Sequence, residues 1–236
     1  MQTPTRQVVL DTETTGLSYQ KGHRMIEIGC VEVINRRLTG KTYHQYINPQ
    51  RKVDKGAFEV HGISDDFLQD KPTFAQVAEE FIQFIDGAEL IIHNAPFDVG
   101  FIDHELQRLD KKTAPLKQRC AITDTLVMAR RRHAGQSNTL DALCKRYNVN
   151  NSQRDKHGAL LDAEILTDVY LAMTGGQVSL LFDHESGDNN EGVYEVKRIS
   201  NPVNLPIVFA NGQELAAHEE MLNLIDKKSG GKCLYH

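Results

Sequence analysis

Asp11 and Glu13 stand at the end of an apolar run, Gln7 to Thr12 (QVVLDT), that reads as a strand. Residues two apart on a strand point to one face, so both carboxylates look into the same space. This pair alone fits a solvated strand end equally well. Thr14-Thr15-Gly16 follows as a tight exit turn, with backbone N–H groups free to meet an anion. Asp98 ends the stretch HNAPFD, where a short apolar strand gives way to a helix. Ligands bind at such strand ends in open α/β sheets, although an acid in a first helical turn can also simply complement the helix dipole. Asp162 lies in the first turns of another helix, with Leu160 and Leu161 before it and Ile165 and Leu166 after it. A carboxylate bordering that apolar face needs a partner, because an unpaired buried charge costs on the order of several kcal/mol. His157 lies five residues earlier, ahead of the helix proper, and can reach the same pocket.

Four carboxylates and an imidazole from distant segments fit one chemistry. Clustered acids repel unless cations neutralise them. Hard oxygen ligands select Mg²⁺ or Mn²⁺ rather than zinc. Two such ions ~4 Å apart can activate a water and stabilise the leaving oxygen of a phosphodiester. An imidazole, ordinarily titrating near neutrality, suits the role of taking the water's proton, and His157 is the candidate.

These residues need a scaffold. Arg24 to Ile34 alternates apolar and polar residues, as a half-buried strand does, and Leu38 to Asn48 is a third strand, with Arg36 and Arg37 as the hairpin turn between them. Thr73 can cap a helix over Phe74 to Asp86. Glu89 to Asn94 is a short buried strand, followed by helices over Phe97 to Leu109, Thr125 to Arg132 and Leu140 to Tyr147, the last capped by Asn138 or Thr139. Gly158 to Met173 has the clearest helical spacing and stops at Gly175-Gly176. Strands first, then helices alternating with a strand, predict an α/β domain with a mixed sheet flanked by helices. Asp183 to Gly192 carries no large apolar side chain and reads as a linker. Val193 to His236 offers a strand or two and an amphipathic helix near Gln213 to Ile225. These last residues sit near the ~40-residue floor for folding alone and are expected to need a partner.

Composition bounds the rest. The 236 residues, 40% apolar and 25% charged, suit one globular domain plus an appendage and exclude wholesale disorder or a rod. No apolar run approaches the roughly 18 residues of a membrane helix. No basic-then-apolar stretch opens the chain, and the four cysteines lack ligand spacing, so a cytoplasmic location with reduced thiols is expected. A net charge of -5 argues mildly against a nucleic-acid binder, unless several acids are metal ligands whose charge the metals cancel.

DTETTG, HNAPFD and HGALLD, in that order, resemble the three exonuclease motifs of the DnaQ-like family, the DEDD 3'–5' exonucleases of ribonuclease H-like fold. The resemblance implies that Asp11, Glu13, Asp98 and Asp162 hold two divalent cations and that His157 is the general base. The subtype with a tyrosine would place it four residues before the last Asp, where Gly158 stands; the histidine of the other subtype is present as His157. Resemblance further implies that Val60-His61-Gly62 meets the terminal nucleotide through His61, against the simpler reading of a surface-turn histidine. Gly56 stands where relatives can carry an acid near the substrate.

The likeness continues outside the motifs, in stretches such as LDALCKRY and LDAEIL, and is strongest to the proofreading members of the family, which work within bacterial replicative polymerases. The implied substrate is a single-stranded DNA 3' end, released one nucleoside 5'-monophosphate at a time. Asp11, Glu13 and Asp162 would then also meet the substrate, and Thr15 and Leu17 could wedge or stack against the last base. Lys111, Lys112, Arg130 to Arg132, Arg154 and Lys156 are candidate phosphate contacts or plain solvated surface. Gln177, Leu180 and Phe182 resemble a motif that docks on the sliding clamp (beta); the alternative is a helix tail packed on its own domain. Three parts follow: an exonuclease domain over 1–176, a clamp motif and linker over 177–192, and a segment over 193–236 that binds the polymerase catalytic subunit (alpha). A small theta subunit accompanies some relatives. An RNA-trimming exonuclease of the same family and a non-catalytic bridging subunit are the rival readings.

Overall fold

The computed structural model describes residues 6–154, 156–175 and 210–229. The chain divides into two compact units, residues 1–181 and 182–236. In the first, five strands form one sheet in the order β3-β2-β1-β4-β5. They are β1 (Arg6–Thr14), β2 (Met25–Ile34), β3 (Arg37–Tyr46), β4 (Glu89–Ile92) and β5 (Ala121–Asp124). The first three are antiparallel neighbours, whereas β4 runs parallel to β1 and β5 parallel to β4. The mixed sheet is therefore present as expected, with β5 as an added strand: AITD is too short for its alternation to show.

The β2–β3 turn differs from expectation. Asn35 and Arg36 take φ of 50° and 64°, and Arg37 is already paired in β3. Two consecutive left-handed residues make the turn type that matches strand twist, and asparagine tolerates the first such position.

Eight helices are described: α1 (Lys55–His61), α2 (Asp65–Leu68), α3 (Phe74–Ile85), α4 (Ala95–Leu109), α5 (Thr125–Arg132), α6 (Leu140–Tyr147), α7 (Ala159–Thr174) and α8 (Gly212–Ser229). Of the two proposed α6 caps, Thr139 fills the role, its hydroxyl accepting from Ala142 N–H. The short α1 and α2 had no visible sequence pattern, because seven and four residues span too few turns for a stripe to repeat.

Strand alternation divides the core. Val8 and Leu10 of β1 pack with Phe74, Phe81, Phe101 and Ile102 from α3 and α4 on one face. Val9 packs with Leu143, Ala163, Leu166 and Val169 from α6 and α7 on the other. By the same alternation Asp11 and Glu13 continue the α7 face, and Thr12 turns toward α4. In the second unit, α8 has no buried side chain among those described, and Leu215, Met221, Leu224 and Ile225 are exposed. The proposed clamp residues Gln177, Leu180 and Phe182, and the tail at 230–236, lie outside the described residues.

Candidate active site

The cleft opens at the carboxyl ends of β1 and β4, where the chain leaves the sheet for helices. It encloses about 1150 Å³, and Asp11, Glu13, Asp98, His157 and Asp162 all line it. Each arrives by a different local device. Asp11 and Glu13 share a face of β1 opposite Gly29 and Glu27 of β2. Asp98 sits in the first turn of α4, which starts just after β4, and its Oδ1 accepts a 2.7 Å hydrogen bond from the Thr12 hydroxyl. The β4–α4 corner is held by Asp124, whose carboxylate accepts from Asn94 N–H and Ala95 N–H and caps α5 through Leu126 N–H and Val127 N–H.

Asp162 comes from α7, which lies directly on the sheet because of Gly29. A Cβ at Gly29 would fall 2.2 Å from the backbone of Ala159 and Leu160, too close for any other residue without displacement of the helix. His157 precedes α7, 44% exposed at its side chain, with Nδ1 3.3 Å from Asp162 Oδ2. Glu13, His157 and Asp162 offer ligand atoms within 4.8 Å of one another.

The charges are unevenly compensated. Desolvation holds the half-buried Asp11 carboxyl well above its ordinary range, and repulsion by Asp98, Glu13 and Asp162 adds to it. Burial likewise pushes Glu13 up to about 8, with Asp162, Glu27 and Asp98 adding repulsion. Burial also raises Asp98, against the lowering effect of the Thr12 hydrogen bond. Asp162 goes the other way: burial would raise it, but hydrogen bonds from Arg154 and His157 outweigh that and hold it below the usual carboxylate range. Among the described residues, Arg154 is the one guanidinium or ammonium bonded to any of the four acids. Buried oxygen donors that repel one another, with a single basic partner, suit hard divalent cations.

His61 is buried and lines the cleft, which removes the surface-turn reading. Its Nδ1 accepts from Ile63 N–H, and its Nε2 has no hydrogen-bond partner. Leu17 lines the rim and is 89% exposed. Thr15 is a correction: it is fully buried, its hydroxyl accepts from Arg24 N–H and meets His23 Nδ1, and so it cannot stack on a base. Gly56 lines the cleft; Lys111, Lys112, Arg131, Arg132 and Lys156 do not, whereas Arg130 and Arg154 do. Gly29, Glu27 and Asp124 were missed from the sequence. The glycine inside an alternating strand was the one available signal.

Acids gathered at the carboxyl ends of a mixed sheet define a nuclease domain, and residues 8–170 match the RNase_T family model, described as exonuclease. Over 98% of this chain and 97% of the other, the sequence is 53% identical to DNA polymerase III subunit epsilon of Escherichia coli K12. It is 51% identical to the same subunit of Pasteurella multocida, over 98% and 94% of the two chains. The chain belongs to this exonuclease family, in the branch of the DNA polymerase III epsilon subunits. Solved structures agree on the fold. Exonuclease X in complex with 5' overhanging duplex DNA superposes with a TM-score of 0.55 at 24% identity, covering 72% of this chain and 94% of that one. An exonuclease I structure gives 0.64 at 17% identity, over 73% and 41%. Nucleases of this type depend on divalent cations, and the donor set above accords with that.

Proposed function

We propose that the chain is the proofreading 3'–5' exonuclease subunit of a bacterial DNA polymerase III, hydrolysing mispaired 3'-terminal nucleotides to 5'-monophosphates. The observation that carries this is the convergence of Asp11, Glu13, Asp98, His157 and Asp162 on one cleft. The four carboxylates would hold two divalent cations, Mg²⁺ or Mn²⁺. When bound, such ions lower the pKa of water and offset charge on the leaving oxygen. His157, at the open side of the cleft, takes the proton of the attacking water. The buried His61 turns its unpartnered Nε2 to the terminal nucleotide, where an unmet polar group favours a substrate that can satisfy it. Leu17, held out on the rim, wedges against the last base. A mispaired end gives up less pairing energy on entering, which is the source of selectivity.

The exposed apolar residues of α8, namely Leu215, Met221, Leu224 and Ile225, supply a contact for the polymerase catalytic subunit (alpha). Gln177, Leu180 and Phe182 are assigned to the sliding clamp (beta) on sequence likeness alone. Any theta subunit would bind the exonuclease domain. Among the described residues no helix is long and apolar enough to cross a membrane, consistent with work in the cytoplasm on DNA.

The test is degradation of a 3'-mismatched DNA primer with Mg²⁺. Asp11→Ala with Glu13→Ala should abolish it while leaving the circular dichroism spectrum and binding to the polymerase catalytic subunit intact; removal of 193–236 should do the reverse. Hydrolysis surviving the double change would end the metal reading. A faster reaction on single-stranded RNA than on DNA would favour the RNA-trimming class.

A further inference from the structure

Asp162 is the one acid of the cluster that already has a cation. Arg154 Nε lies 2.5 Å from its Oδ1 and Nη2 lies 2.7 Å from its Oδ2, a fork that uses both oxygens. The two side chains are only 6% and 4% exposed, so this is not a solvated surface pair. The same guanidinium reaches further. Nη1 donates to Asp141 Oδ1 at 2.8 Å, and Nη2 stands 3.0 Å from Nδ1 of His157. Asp141 is 59% exposed and lines the cleft, so Arg154 has a second acceptor in hand should it let go of Asp162.

A divalent ion drawn by Glu13, His157 and Asp162 therefore meets an obstacle. It needs an Asp162 oxygen, and a permanent positive charge is bonded to both of them. Arginine does not lose its proton in proteins, so the obstacle is removed by competition and not by titration. Asp11, Glu13 and Asp98 have no such resident cation among the described residues.

We propose that Arg154 is an internal cation that occupies Asp162 in the metal-free protein and competes with the second divalent ion for that carboxylate. Loading of the Asp162 side is then weaker than loading of the Asp11–Asp98 side, and the step that displaces Arg154 also releases Nδ1 of His157. Arg154 is thus a positioning residue that ties readiness of the base to occupancy of the second site. The inference rests on the metal reading proposed above.

Mn²⁺ binding to the full chain, followed by the electron paramagnetic resonance signal of the free ion, tests both. The wild type should show one tight and one weak site. Arg154→Met should tighten the weak site by ~10-fold or more, because a like charge has left its edge, and leave the tight site within about twofold. Arg154→Lys should fall between, since an ammonium cannot fork. The metal-free melting temperature of Arg154→Met should drop and its rise on adding Mn²⁺ should grow. An unchanged weak site in Arg154→Met overturns the proposal. So does loss of the weak site, which would make Arg154 a support for Asp162 and not its competitor. If Arg154→Met does not fold, the Lys variant carries the same comparison. Asp11→Asn with Glu13→Gln should remove the tight site. A wild type that binds no Mn²⁺ overturns the metal reading itself, whereas two wild-type sites indifferent to Arg154 overturn only the role of this arginine.

Discussion

The two sides of the cleft hold their acids under opposite conditions. On the strand side, Asp11, Glu13 and Asp98 face one another without a basic partner, and all three are pushed toward the protonated form. On the helix side, Asp162 is held ionised by Arg154 and His157. A fold that needed these acids only for stability would have paired or replaced them. Uncompensated buried charge of one sign is instead found where a ligand supplies the missing charge. The strand side is built to receive a cation, and the helix side is built to exchange one.

Chemistry should break this symmetry most sharply at His157. Its ring is partly solvated, and its contacts are Arg154 and Asp162, not the core. His157→Ala should lower turnover on DNA by ~10²–10⁴ while the melting temperature stays nearly unchanged. Single-turnover rates at saturating Mg²⁺ are the measurement; a loss of less than tenfold would place the base elsewhere.

The next effect concerns how the helix side is brought to the strand side. Gly29→Ala puts a methyl group into the backbone of α7 at Ala159 and Leu160, so the helix must shift and carry Asp162 with it. A displacement of about 1 Å at a catalytic group costs ~10²-fold in rate. The same strain should destabilise the fold by ~1–3 kcal/mol, readable in urea unfolding. An active, stable Gly29→Ala protein would show that α7 has more room than its contact with β2 allows.

Both sides of the cleft were partly legible in the sequence, for different reasons. Strand period placed Asp11 and Glu13 on one face, and the apolar stripe around Asp162 marked a buried acid, so local pattern carried both. Asp98 was legible through its position after an apolar strand. Arg154 was visible only as one basic residue among several, because its partner Asp162 is set by the path of the loop before α7. Glu27 and Asp124 escaped for the same reason: the first gains meaning only from the register that sets it opposite Glu13, and the second from a corner between two strands. Thr15 misled because its place after the acidic pair gave no sign that Arg24 and His23 would enclose it.

The smallest effect separates the two sides by sign. Glu13 has a folded pKa of about 8 against an ordinary 4.5. Below about 4.5 both the folded and unfolded forms carry the proton and nothing is lost. Between 4.5 and 8 the unfolded chain releases it while the folded chain keeps it, so metal-free stability falls as pH rises through that window, and stays low above it. Asp162, whose pKa is depressed, contributes stability at neutral pH that is lost as pH falls through its own low value. In EDTA at pH 7, Glu13→Gln should therefore raise the melting temperature, by roughly 2–4 °C for each kcal/mol of repulsion relieved. Asp162→Asn should lower it, because Arg154 is left largely buried beside a neutral amide. Saturating Mg²⁺ should abolish the pH slope of the wild type. If both substitutions moved the melting temperature in the same direction, the contrast between the unpaired strand acids and the paired helix acid would fail at its root.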